Sequence, residues 1–105
     1  MSAFEKFYNV VSKIPKGKVA TYQDVAKAAG VRFGARAVGN AMACNQDTKR
    51  VPCHRVVKST GHVGGYMGNH KKSKVKAHKL IAEGIDVDPS SGKIRNFKRY
   101  RLKKV

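Results

Sequence analysis

Two helix-start signals separated by a glycine stop constrain the middle of this chain more tightly than any other feature. Thr21 with Asp24 three residues later has the form of a capping box, in which each side chain accepts from the other residue's backbone N–H. Val25, Ala26 and Ala29 follow at helical spacing, and Gly30 is a natural stop. After the connector Val31, Arg32, Phe33, Gly34 the pattern predicts another helix over 35–44, so the pair reads as a helix-turn-helix. At about 100° per residue, Val38, Ala41, Met42 and Asn45 share one side of that helix. Arg36, Gly39, Asn40 and Ala43 share the other, which is small, polar and nearly flat. Such a face lets a helix approach a nucleic-acid groove closely while one arginine projects beyond it. An ordinary solvated helix carries the same pattern, and the residues alone leave both readings open.

Around this centre the remaining signals are shorter. Ser2 with Glu5 resembles a capping box, and Phe4, Phe7, Tyr8, Val11 and Ile14 give helical spacing up to Pro15. Val19 and Ala20 suit a brief extended segment. Residues 46 to 51 read as a polar loop, 54 to 58 as a short strand, and 59 to 61 as a turn. The stretch Gly64, Gly65, Tyr66, Met67, Gly68, Asn69 reads as a flexible pocket wall. A fourth helix is predicted over 71–83, with Ala77, Leu80 and Ile81 inward, Lys71, Lys72, Lys74, Lys76 and Lys79 around the remainder, and Gly84 as its stop. Segments 85–88 and 93–97 flank Pro89, Ser90, Ser91, Gly92 as a terminal hairpin. The basic tail beyond reads as an edge strand or an arm that meets phosphates. The expected fold is mainly α with short strands: a winged-helix-like helix-turn-helix domain with a terminal β-hairpin, one domain over 1–105.

Charge narrows the partners. Lys and Arg total 23 against six acidic residues, a net charge of +17, and such a field attracts polyanions. Nucleic acid comes first, with a merely solvated basic surface or an anionic membrane as alternatives. No stretch approaches the ~20 apolar residues of a spanning helix, and the N-terminus lacks a secretory pattern, so a soluble intracellular protein is expected. Cys44 and Cys53 do not make a disulfide framework. His54, His62, His70 and His78 recur every eight residues, a period unlike that of zinc sites, and no metal is expected.

The chemistry concentrates in Val51, Pro52, Cys53, His54, Arg55, Val56, Val57. Proline fixes its own φ and biases Val51 toward extended backbone, so the cysteine is presented on a stiff turn. A thiol near an imidazole and a guanidinium has a stabilised thiolate, the form that attacks carbon. A buried inert cysteine is the bland alternative.

The run from Pro52 to Val57 resembles the acceptor-cysteine signature of the O6-alkylguanine-DNA alkyltransferases. The likeness extends from the run Ile14 to Tyr22, through Ala35, Arg36, Ala37, Val38, Gly39, Asn40 and Ala41, to Glu83 and Gly84. The resemblance implies a single-domain form lacking the N-terminal domain of the family. It implies stoichiometric transfer of an alkyl group from guanine O6 in double-stranded DNA to Cys53, without a cofactor, by a cytoplasmic (or, in a eukaryote, nuclear) and monomeric protein. The helix pair would enter the minor groove, and Arg36 would fill the gap left by an extruded guanine. Ala35, Ala37, Gly39, Asn40 and Thr21 would complete the DNA contact.

By the same resemblance Tyr22 would donate to the leaving guanine, His54 would act on Cys53 through a water, and Glu83 would orient His54. Asn45 would brace the cysteine turn, and Arg55 would have a structural role there. Tyr66, Met67 and Val56 would form the substrate pocket. Met67 stands where the family frequently has Ser or Ala, which leaves only a backbone N–H to meet O6. Relatives that sense the lesion without transfer carry tryptophan at the acceptor position, and a lesion-sensing protein is the alternative function.

Overall fold

The computed structural model describes residues 2–67 and 69–105. Helix α1 spans Ala3–Val11, with Ser2 Oγ accepting from Glu5 N at 3.2 Å as its N-cap. It buries Phe7, Val10 and Val11 and ends four residues before Pro15. Strand β1 is Ala20–Thr21, and Thr21 at once caps α2, Tyr22–Ala28. Here the capping box is complete: Thr21 Oγ1 accepts from Asp24 N at 3.0 Å, and Asp24 Oδ2 accepts from Thr21 N at 3.1 Å. Helix α3 is Ala35–Ala43, and α1, α2 and α3 pack on one another around the faces that the periodicity marks.

The cysteine segment departs from the expected strand. Cys53–Arg55 forms a 3-10 turn, and only Val56–Val57 is extended, as β2. Strand β2 pairs in parallel with β1, Ala20 opposite Val56 and Thr21 opposite Val57. Because successive strand residues face opposite ways, this short ladder divides the interior. Val56 and Ala20 join Phe7, Val25, Val38 and Met42 on the helical side, while Val57 joins Val63, Leu80, Ile85 and Ile94 on the other.

A 3-10 turn at His70–Lys72 leads into α4, Ser73–Ala82, which buries Ala77 and Leu80. Two expectations for α4 fail. Ile81 is 39% exposed, and Lys76 is 1% exposed. The terminal hairpin is present in minimal form, with an antiparallel bridge between Val87 and Ile94 and a bond from Asp88 N to Lys93 O. Beyond it the chain turns into α5, Phe97–Tyr100, instead of continuing as a strand. It then lays Arg101 beside Val19 in a parallel bridge. Among the described residues no helix is long and apolar enough to cross a membrane.

Candidate active site

A cavity of about 220 Å³ is lined by Tyr22, Gly39, Met42, Cys53, Lys58, Gly65, Met67 and Lys76. Each lining group has a local reason to be there. The capping box starts α2 at Tyr22 and so fixes where its phenol points. The thiol is set by the 3-10 turn after Pro52, with Cys53 N donating to Val51 O at 2.8 Å. Asn45 holds that turn from below, its Nδ2 donating to Val51 O at 2.8 Å and its Oδ1 accepting from Asp47 N at 3.0 Å. Asn45 is buried, so both ends of its amide are used, as a buried amide requires.

The two residues after the cysteine belong to a charged cluster. Glu83 accepts from His54 Nε2 at 3.0 Å and from Arg55 through Nε at 2.9 Å and Nη2 at 2.6 Å. Arg55 Nη1 donates to Ile14 O at 2.8 Å, tying the cluster to the end of the first helical segment. Burial alone would raise the Glu83 carboxyl, but the bonds from Arg55 and His54 outweigh it and hold the group below the usual carboxylate range. Burial pulls the His54 imidazole below its ordinary value, with Arg55 and Lys79 adding to this and Glu83 opposing it. His54 is therefore a neutral base at pH 7. With Nε2–H given to Glu83, its basic nitrogen is Nδ1, which is buried and has no partner among the described residues.

Arg55 is thus committed to Glu83 and Ile14, and it is not the cation that addresses the thiol. Of the two lysines that share the cavity with Cys53, Lys58 is exposed and Lys76 is buried. Its ammonium donates to Tyr22 Oη at 3.3 Å and to Gly65 O at 3.1 Å and lies 5.4 Å from the Tyr22 ring centroid. Burial, with a smaller push from Lys58 and an opposing pull from Cys53, brings Lys76 down to about 7. Tyr22 is shifted up, by burial first and by Cys53 second.

Sequence reasoning placed Lys76 among the solvated lysines and missed it. The signal was present: Lys76, Leu80 and Glu83 are spaced i, i+4, i+7 and share one helix face. Met42 and Lys58 line the cavity without a sequence signal, whereas Gly65 lies in the stretch expected as pocket wall.

The structure separates the other expected residues. Arg36 and Asn40 are exposed on α3, with Ala35 and Ala37 half-covered. Gly39 joins this face to the cavity, and a Cβ built on it would meet nothing within 4 Å. The space outside Gly39 is therefore open to a body approaching from outside. Thr21 is fully buried as a helix cap and is not on the surface expected to meet DNA. Tyr66 and Val56 are buried in the helical-side cluster rather than on the cavity wall, and Lys79 Nζ lies 5.6 Å from the Tyr66 ring centroid. Met67 is on the wall, its Sδ 3.6 Å from Cys53 Sγ. Of the expected catalytic set, Cys53 and Tyr22 line the cavity, His54 is bonded to Glu83, and Asn45 is bonded to the turn that carries Cys53.

Residues 2–85 match the family described as 6-O-methylguanine DNA methyltransferase, DNA binding domain. This chain belongs to that family. Among curated relatives, a bifunctional methyltransferase/endonuclease of Thermoplasma volcanium is 38% identical over 96 residues, covering 91% of this chain and 29% of the relative. A methylated-DNA–protein-cysteine methyltransferase of Methanothermobacter thermautotrophicus is 39% identical over 80 residues, 76% of this chain and 43% of its own length. The alkyltransferase-family chain thus spans less than half of each of these two relatives.

Among solved structures, S. pombe Atl1 in complex with damaged DNA containing O6-carboxymethylguanine superposes with a TM-score of 0.80. It is 32% identical and covers 94% of this chain and 93% of its own. The Mycobacterium tuberculosis OGT in complex with DNA gives 0.71 at 31% identity, over 79% and 50%. Both are similar in fold to this alkyltransferase-family chain, whose mostly helical architecture with a small parallel ladder agrees with the expected class.

Proposed function

We propose that this chain, as one DNA-binding and alkyl-acceptor domain, repairs O6-alkylguanine in double-stranded DNA by moving the alkyl group onto its own Cys53. The observation that carries this reading is the shared cavity. A buried thiol, a phenol and a lysine hydrogen-bonded to that phenol face one space, and His54, next to the cysteine in the chain, is held by Glu83.

An alkyl group on O6 is out of reach within a stacked duplex, so the guanine rotates out, at a cost of ~a few kcal/mol. Arg36, exposed on the small face of α3, enters the gap; its planar guanidinium can stack on and hydrogen-bond to the orphaned base. The thiol proton passes to His54 Nδ1, through a bridging water, and Glu83 stabilises the resulting imidazolium. Cys53 Sγ then attacks the alkyl carbon, a sulfur–carbon bond forms and the carbon–O6 bond breaks. The departing purine takes a proton from Tyr22, which is replaced from the Lys76 ammonium bonded to its oxygen. The balance is thiol plus alkylguanine to thioether plus guanine. Because the thioether is inert, each chain reacts once.

The test is intact mass after incubation with duplex containing O6-methylguanine. The expected result is one added methyl on Cys53 and none in Cys53→Ala. Tight lesion binding with an unmodified thiol would replace this reading with that of a lesion sensor.

A further inference from the structure

Met67 makes contact with the acceptor sulfur itself. Its Sδ lies 3.6 Å from Cys53 Sγ, and its side chain forms part of the cavity wall. The turn that carries it leaves little choice of direction. Tyr66 N donates to Asn69 O at 3.1 Å and Asn69 N to Tyr66 O at 3.0 Å, and Met67 between them is held at φ 55. A bulky residue rarely occupies this left-handed region, and such an outlier persists where its surroundings over-determine it.

The second methionine of the wall differs. Met42 is 4% exposed and fixed within the helical cluster, whereas Met67 is half-buried and packs only against that cluster's edge. Of the two, Met67 is the one that can move. A methionine has three rotatable bonds, so it fills a gap when nothing else does and yields part of it when pressed.

The proposed transfer requires the alkyl carbon to reach Sγ along the line opposite the breaking carbon–O6 bond. The atoms packed around Sγ therefore bound the space for the rest of the alkyl group. We propose that the Met67 thioether, resting on the acceptor sulfur, sets the size of alkyl group this protein accepts, admitting methyl with a small side-chain displacement and resisting a bulky group such as benzyl. This rests on the acceptor reading of Cys53 and adds its substrate class: small O6-alkylguanines.

Single-turnover rates by intact mass, on one duplex sequence carrying either O6-methylguanine or O6-benzylguanine, test this in the wild type, Met67→Ala and Met67→Leu. Ala and Leu keep a Cβ at the same backbone conformation, so they vary the volume near Sγ. Met67→Ala should raise the benzyl-to-methyl rate ratio by about tenfold or more, the scale on which pockets discriminate by a methylene or two. Met67→Leu should hold the ratio within about threefold of wild type, since it restores most of the volume. An unchanged ratio in Met67→Ala with methyl transfer intact would overturn the gate and leave the acceptor reading standing. Equal shifts in Ala and Leu would also overturn it. Failure of the wild type to take up even methyl would remove the acceptor reading and the gate with it.

Discussion

Lys76 is the residue whose chemistry depends most on its surroundings. Its ammonium has two acceptors, Tyr22 Oη and Gly65 O, and no carboxylate partner among the described residues, so burial favours the neutral form and brings the group to about 7. The unfolded chain holds that proton up to the ordinary lysine value near 10.5. Between these pH values the unfolded state binds more protons, so stability rises as pH increases from about 7 toward about 10.5. Chemical denaturation across this range should show that rise, and Lys76→Met, which keeps the stem and removes the charge, should flatten it. In single-turnover methyl transfer the same variant should slow the reaction by roughly a hundredfold, the lower end of the range for a positioned proton donor. A variant with wild-type rate and an unchanged pH profile would remove Lys76 from the proton path. The sequence shows why this residue is hard to read: a lysine on a lysine-rich helix looks solvated until the partners that enclose it, from residues 22 and 65, are known. By contrast Cys53 and His54 stand in one local motif, whereas Glu83 lies 29 residues beyond His54 and is tied to it only by the fold, at 3.0 Å.

At the scale of elements, α2 and α3 do the work of presentation. The complete capping box starts α2 at a defined residue, and Gly34 makes the entry to α3 tight, since a Cβ there would lie 2.7 Å from a Val31 methyl. These signals are local in sequence and were legible. The 3-10 turn at Cys53 was not, because the extended part of its segment is decided by pairing with Ala20 and Thr21, more than thirty residues away. Nor was α5, whose alternating apolar residues suit a strand as well as one helical turn. The exposed α3 face supports a separable prediction. Arg36→Ala should slow methyl transfer from duplex by about tenfold or more while leaving reaction with free O6-methylguanine nearly unchanged, because only the duplex demands that a gap be filled. Equal losses on duplex and free base would mean that Arg36 acts on the pocket instead of the helix stack.

For the whole molecule the question is what keeps the helix-turn-helix registered against the C-terminal segment in a chain of net charge +17. Self-repulsion opposes compaction at this charge, and each well-placed carboxylate counts. Asp24 is such a group. It closes the capping box and takes a two-point bond from Arg101, Nε to Oδ2 at 2.9 Å and Nη2 to Oδ1 at 3.0 Å. Leu102 N to Val19 O and Val19 N to Tyr100 O fasten the same segment to the residue just before β1. The tail, expected as an edge strand or as an arm that meets phosphates, is at this point a structural clasp. Burial would raise the Asp24 carboxyl, but Arg101 and Thr21 outweigh it and hold it below its ordinary value. The sign follows: the lowered group stabilises the fold at pH above the unfolded carboxylate range, and this is lost as pH falls through its folded value. Removing the guanidinium leaves a carboxylate of 6% exposure with only its Thr21 bonds, a loss of about 1–3 kcal/mol for a charged hydrogen-bonding partner. For a domain of this size that is roughly 5–20 °C in Tm. Arg101→Ala should therefore melt lower by that amount at pH 7, with the gap to wild type narrowing as pH falls below about 4, where the unfolded carboxylate takes up its proton. Arg101→Lys, which keeps the charge without the fork, should fall between the two. A Tm for Arg101→Ala within about 2 °C of wild type at pH 7 would show that the backbone bonds to Val19 hold the segment without the clasp.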